Sequence, residues 1–423
     1  MNKNIKLAVA GAVLALSATA ANAGIVIPAG DWSLDVSGNV NTYAQWIKSS
    51  GNATVLSADG TAVASGHNTS NGFGNGLLPN FLSVGGSTRQ NDLDVSFVIS
   101  IQPGSAHRTA LGVGADGGIN NRQSFITFGD KSWGSVKVGK DLGIFASDAI
   151  LNDMTLLGVG ASGAGAANTT LGRIGYGYIY ADWKPQIAYT TPNFSGFQAT
   201  VGIAQNFQAN TTVMSQANES TTLQSTSSLT NASPAYEGKA SYSFAANDVT
   251  GKVWVSGIAQ HTANGVGVAM NDPVAYAGDI GANVNFAGFG LTGYYYSGSG
   301  IGTTGQGLDG YGVSTLNGAI GARDSDGGYV QATYVLPTKT KVGISWGESN
   351  LDRASGETTG TTAGSYGQVG YLQKKNEMWT AGIYHPLTKH LNLVAEYNFS
   401  RSTNQLDQEN KAYSGNLGAI LFF

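Results

Sequence analysis

From Leu391 to Phe399 the chain alternates between apolar and polar positions. Leu391, Leu393, Tyr397 and Phe399 share one parity, while Asn392, Glu396 and Asn398 share the other. The same period of two runs from Leu93 to Ile101, where Leu93, Val95, Phe97, Ile99 and Ile101 oppose Asp94, Ser96 and Ser100. It recurs from Trp32 to Trp46 and from Tyr276 to Phe286. At the end of the sequence, Tyr413, Gly415, Leu417, Ala419, Leu421 and Phe423 alternate with Ser414, Asn416 and Gly418. This is the periodicity of strands with one apolar face. A soluble sandwich also alternates, so a single segment decides little. The number and length of the segments, together with a strand running to an aromatic terminus, predict a barrel whose outer face meets lipid and whose last strand pairs with the first.

The connections support this reading because they come in two lengths. Short polar turns are expected at Arg89–Asp92, Asp130–Ser132, Asn193–Gly196, Ala246–Asp248, Ala287–Gly288, Pro337–Lys339 and Thr388–His390. Between them lie long stretches rich in Gly, Ser, Thr and Asn: Ser49–Gly76, Asp141–Tyr180, Gln205–Pro234, Gly298–Asp326 and Leu351–Gln373. Short turns at one end and long loops at the other are the plan of outer-membrane barrels, and the segments amount to about sixteen strands. The expected fold is therefore an all-β transmembrane antiparallel barrel with short periplasmic turns and long extracellular loops. Trp32, Trp46, Trp133, Trp183, Tyr189, Tyr334, Trp379, Tyr384 and Phe423 fall near strand ends, where interfacial aromatic girdles belong.

Composition sharpens the picture. Only 11% of residues are charged and 61 are Gly, against roughly 25% charged in ordinary soluble domains. Mean hydropathy is −0.07, too low for a helical membrane protein. The first 23 residues read as an export signal. Lys3 and Lys6 precede an apolar stretch from Leu7 to Ala20, and Ala21-Asn22-Ala23 forms an A-x-A cleavage site. Residues 1–23 are thus expected to be a signal peptide for Sec export, and 24–423 a single barrel domain.

Catalytic and ligand chemistry find little support. There is no Cys, and the five His residues show no metal-binding spacing. The Gly-rich runs 114–118 and 158–165 lack the Lys-Ser/Thr of a phosphate loop. No metal, cofactor or catalytic residue is expected. With 22 basic residues against 26 acidic ones, nucleic acid is not an expected partner. A surface adhesin or β-solenoid has a similar composition, but no fixed repeat of ~20–50 residues occurs.

Several segments together resemble the general bacterial porin family, the trimeric 16-stranded diffusion porins. Asn121–Phe128, with Gly129, Trp133 and Gly134–Gly139, resembles the strand pair before that family's constriction loop. The stretch 141–180 resembles its third, inward-folded loop, and Leu171–Gly175 resembles the return from it. Tyr189–Phe197 resembles the strand, turn and strand that follow, and Phe423 the terminal assembly signal. The resemblance implies a third loop folded into the lumen and a passive channel for small hydrophilic solutes and ions in the Gram-negative outer membrane. It implies a homotrimer, contact with outer-membrane lipid and lipopolysaccharide, and insertion by the barrel-assembly machinery through Phe423 and Leu421. In family terms Arg122 and Arg173 would form the basic side of the constriction, and Asp148 and Asp153 its acidic third-loop side. Lys137, Lys184 and Asp94 are candidates to line the lumen. The chain departs from the family at the loop tip, where Thr155–Gly160 replaces a Pro-Glu-Phe-Gly-Gly motif. It departs again at Leu78–Val84, which lacks an arginine. Both departures imply a weaker constriction field, leave ion preference open, and leave room for a substrate-selective channel.

Overall fold

The structure, a computed structural model, describes residues 24–52, 66–105, 119–161, 168–208, 210–217, 220–228, 230–231, 233–263, 271, 273–360 and 368–423, with backbone only for 210–231 and 263. The expected signal segment, 1–23, lies outside the described residues.

The barrel is closed, antiparallel and 16-stranded. Its strands in chain order are Trp32–Gly51, the pair Gly66–Gly74 and Phe81–Gln90 acting as one, Leu93–Pro103, Ile119–Asp130, Gly134–Leu142, Trp183–Thr190, Phe197–Ala204 and Ala235–Ala246. Val249–Ala263, Val274–Phe286, Phe289–Ser299, Asp324–Val335, Lys341–Leu351, Gln373–Pro386, Leu391–Asn404 and Glu409–Phe422 complete the ring. Each pairs with its sequence neighbour, and closure comes from Asn39–Gly51 against Phe422–Asn410. Just beyond that ladder the Phe423 and Gly38 backbones bond reciprocally at 2.8 and 3.0 Å. The short strand Ile25–Ala29 then continues the seam on Trp32–Val36.

The second barrel strand is interrupted at 75–80, where Pro79 has no N–H for the ladder. Asn41 on the neighbouring strand fills the gap. Its N–H donates to Asn80 Oδ1 (2.6 Å), its amide donates to the Leu78 carbonyl (3.0 Å), and its Oδ1 accepts from the Gly76 N–H (3.0 Å). The turn after this strand is a two-residue hairpin with Asn91 and Asp92 both at positive φ (50° and 62°). That conformation matches the right-handed twist of the flanking strands.

Facing follows parity. Ile99, Ile101, Val201, Ile280, Ile344, Leu417 and Leu421 are exposed on the outside, whereas Ser96, Ser100, Asn398, Ser414 and Asn416 are buried inside. Trp46, Trp133, Tyr189 and Trp379 are exposed, as girdle residues should be. Tyr384 is not one of them: it is buried on the inward face and its hydroxyl donates to Glu396 Oε1. Among the described residues no helix is long and apolar enough to cross a membrane.

Candidate functional site

The segment between Leu142 and Trp183 folds into the barrel rather than away from it. Two buried wall carboxylates hold its stem and tip. Glu237, on strand 235–246, accepts the Ile144 and Phe145 N–H groups at 2.7 and 2.9 Å. Glu396, on strand 391–404, accepts those of Val159 and Gly160, both at 2.9 Å, through one oxygen. Between these clamps the segment follows the inner wall. The Tyr329 hydroxyl donates to the Ala149 carbonyl (2.8 Å), Gln331 Oε1 accepts from the Met154 N–H (2.7 Å), and the Tyr43 hydroxyl donates to the Leu157 carbonyl (2.6 Å). A side chain at position 158 would obstruct the second clamp, since a Cβ there would lie 1.9 Å from Glu396 Oε1.

Asp148 sits in the short helix Ser147–Leu151 of this segment, outside the membrane-spanning strands. It forms ion pairs with Lys239 (3.0 Å) and Lys252 on two adjacent wall strands. Burial pushes its carboxyl pKa up, but the two ammonium groups outweigh that and hold it below the ordinary carboxylate value. Lys239 and Lys252 were not among the residues singled out from the sequence. Their signal was available, because both occupy the inward parity of an alternating strand, where a charge must face water or a partner.

The remaining sequence candidates take different places. Arg122 sits at a break in the strand ladder. The ladder slips between Ser100 and Ile101, whose partners are Gln123 and Asn121, so Arg122 is the extra residue of a bulge. Its N–H donates to Gln102 Oε1 (2.9 Å), and its guanidinium lies 5.9 Å from the ring centroid of Trp183 near the long-loop rim. Arg173 lies on the returning arm of the loop, fully buried. Its guanidinium donates to the carbonyls of Met378 (3.0 Å) and Ser345 (3.3 Å) and to the Thr380 hydroxyl (3.0 Å), which leaves it bracing loop to wall instead of facing solvent. Asp153 is buried too. It caps the 3₁₀ turn Met154–Leu157 through Thr155 (2.9 Å to N, 2.7 Å to Oγ1) and accepts from the Tyr178 hydroxyl (2.8 Å), with Arg173 Nε 4.0 Å away.

Lys137 faces inward, paired with Asp141 and 4.9 Å from the Phe125 ring centroid. Lys184 faces inward but is buried, paired with Glu237 and donating to Gln306 Oε1 (2.7 Å). Asp94 belongs to the short-turn rim, where Arg89 bridges it (2.8 Å) and Asp130 (2.9 Å). Leu421 faces outward opposite Val40 and Leu391, and Phe423 closes the seam on Gly38.

A closed barrel of sixteen strands leaves an aqueous interior, and an inward loop bearing a carboxylate against wall lysines narrows it. That combination defines a membrane channel. Residues 8–405 match the Gram-negative porin family; the chain belongs to that family and is a passive outer-membrane channel. No curated protein matches it. Among solved structures it is similar to the outer membrane channel DcaP of Acinetobacter baumannii, at 15% identity and TM-score 0.62 over 95% of this chain and 100% of that one. It is also similar to an anion-selective porin from Comamonas acidovorans, at 15% identity and TM-score 0.55 over 93% and 100%. Salmonella typhi OmpF aligns at 14% identity and TM-score 0.55 over 94% and 100%. At these identities the likeness establishes the shared fold.

Proposed function

We propose that solutes crossing this channel are screened by charge at Lys239, Lys252 and Asp148, and that small hydrophilic anions pass more readily than cations. One observation carries this reading: two wall lysines share a single loop carboxylate, and the lysine side chains are 23% and 32% exposed while the carboxylate is 4% exposed. The solvent path therefore meets more positive than negative charge, which raises local anion concentration and opposes cations. Lys137 adds little to the field, because Asp141 compensates it. The test is a reversal potential across a planar bilayer under a salt gradient. The double variant Lys239→Gln/Lys252→Gln should shift preference toward cations, more at 0.1 M than at 1 M salt, where the Debye length falls from about 10 to about 3 Å. An unchanged reversal potential would remove these residues from the selective region.

Around this site we propose a homotrimer, exported by the Sec route with residues 1–23 removed. Phe423 and outward Leu421 would serve as the signal read by the barrel-assembly machinery, and lipopolysaccharide would pack on the outer face. The long exposed apolar surface of the strands supports the lipid contact. Intact mass of the membrane-extracted protein, with cross-linking of the native oligomer, tests cleavage and stoichiometry together.

A further inference from the structure

A second segment also crosses the lumen. Residues 300–323 leave the wall between strands 289–299 and 324–335, yet their bonds land far away on the ring. The Tyr180 N–H donates to the Thr304 carbonyl (2.8 Å), and the Gln306 amide donates to the carbonyls of Tyr180 and Ala181 (both 3.2 Å). Lys184, which donates to Gln306, stands on strand 183–190, five strands back around the ladder from 289–299. In the other direction, the Gln373 amide donates to the Thr303 hydroxyl (3.0 Å), and strand 373–386 is two strands past 324–335. A loop that bonds inward-facing side chains on both of these strands spans the mouth. An outward-arching loop would reach neither.

The base of this segment is locked. Arg323 donates from Nε and Nη2 to the two Glu357 oxygens (2.9 and 2.6 Å) and from Nη1 to the Asp309 carbonyl (2.8 Å), with both side chains of the pair fully buried. The Ala354 N–H also donates to Glu357 (2.8 Å), and Ser325 donates to the Gly302 carbonyl (2.7 Å). A buried bidentate pair is weak evidence for stability, but its planar fork admits one relative placement of the two loops.

We propose that residues 302–309 form a fixed second filter on the long-loop side of the channel. It limits solute size before the third loop is reached, with Arg323 and Glu357 as positioning residues. This property is separate from charge selection at Asp148, so the two are read by different measurements.

Gly302 and Leu308 already meet as a β-bridge. Excising 303–307 therefore removes every bond to Tyr180, Ala181, Lys184 and Gln373 while rejoining the neck. The variant should show a higher single-channel conductance and should admit larger sugars in liposome swelling, with little change in reversal potential. An assembled variant with unchanged conductance and size cut-off would overturn the proposal. If excision blocks assembly, the cysteine-free chain supplies a second route. Gly305 has room for a side chain, its nearest Cβ contact being Leu308 Cβ at 3.7 Å. Gly305→Cys treated with methanethiosulfonate reagents should show a stepwise current drop that deepens with reagent size. Labelling confirmed by mass without a current change would overturn the proposal, and so would a failure to label.

Discussion

Replacing Glu396 with Ala should loosen the inward loop without opening the barrel. In the folded chain one carboxylate oxygen accepts two buried N–H groups, from Val159 and Gly160, and the other accepts the Tyr384 hydroxyl (2.7 Å). The strand ladder around Glu396 is backbone-bonded through Gly382 and Asn416 and needs no side chain there. Truncation therefore leaves the wall intact and orphans the loop's two amides. A buried donor left without its acceptor costs about 1–3 kcal/mol, so the two together lose ~2–6 kcal/mol of local anchoring before lumen water offsets part of it. At 1.4 kcal/mol per tenfold, this predicts ~30-fold or greater faster hydrogen exchange for the peptide containing 159 and 160. Single-channel recordings should show added current noise. Glu396→Gln is the control: its amide oxygen can accept both N–H groups while its NH₂ donates to a rotated Tyr384 hydroxyl, so exchange should stay near that of the natural chain. Equal exchange in the natural protein and the Ala variant, with quiet currents in both, would refute the clamp.

Two further outcomes follow from the same geometry. Ile99→Arg places a charge on the outward face near mid-strand and should cost ~2–4 kcal/mol of barrel stability, whereas inward, half-buried Ser87→Arg should cost far less; urea refolding into vesicles measures both. The lowered Asp148 pKa means that its pairing with Lys239 and Lys252 is fully present above the ordinary carboxylate value of ~3.9 and is lost only as pH falls below it. Reversal potential should therefore stay level from pH 8 to about 5 and turn more anion-favouring under stronger acid, and a shift centred near pH 6 would exclude Asp148 as its source.

The barrel itself was legible in the residues because a strand's side-chain period is two and does not depend on what the strand packs against. Ile99, Leu417, Leu421 and Glu396 fall on the faces their parity implies, and the alternation of short turns with long loops sets which strands are neighbours. A one-residue slip is enough to defeat this logic: the bulge between Ser100 and Ile101 breaks the alternation at Arg122, and bulges leave no reliable mark in a sequence rich in Gly, Ser and Asn. The proposed constriction was less accessible. Asp148 and Lys252 are 104 residues apart, and nothing local to either announces the other. Whether a charge on an inward loop meets solvent or is consumed in packing depends on the path the loop takes across the lumen. That path is chosen by Glu237, Glu396, Tyr43 and Tyr329 on four separate strands. Asp148 and Asp153 are equally buried, but the first meets two partly exposed wall lysines and the second meets Thr155, Tyr178 and buried Arg173, because a partner is a property of the assembled surfaces and not of the residue.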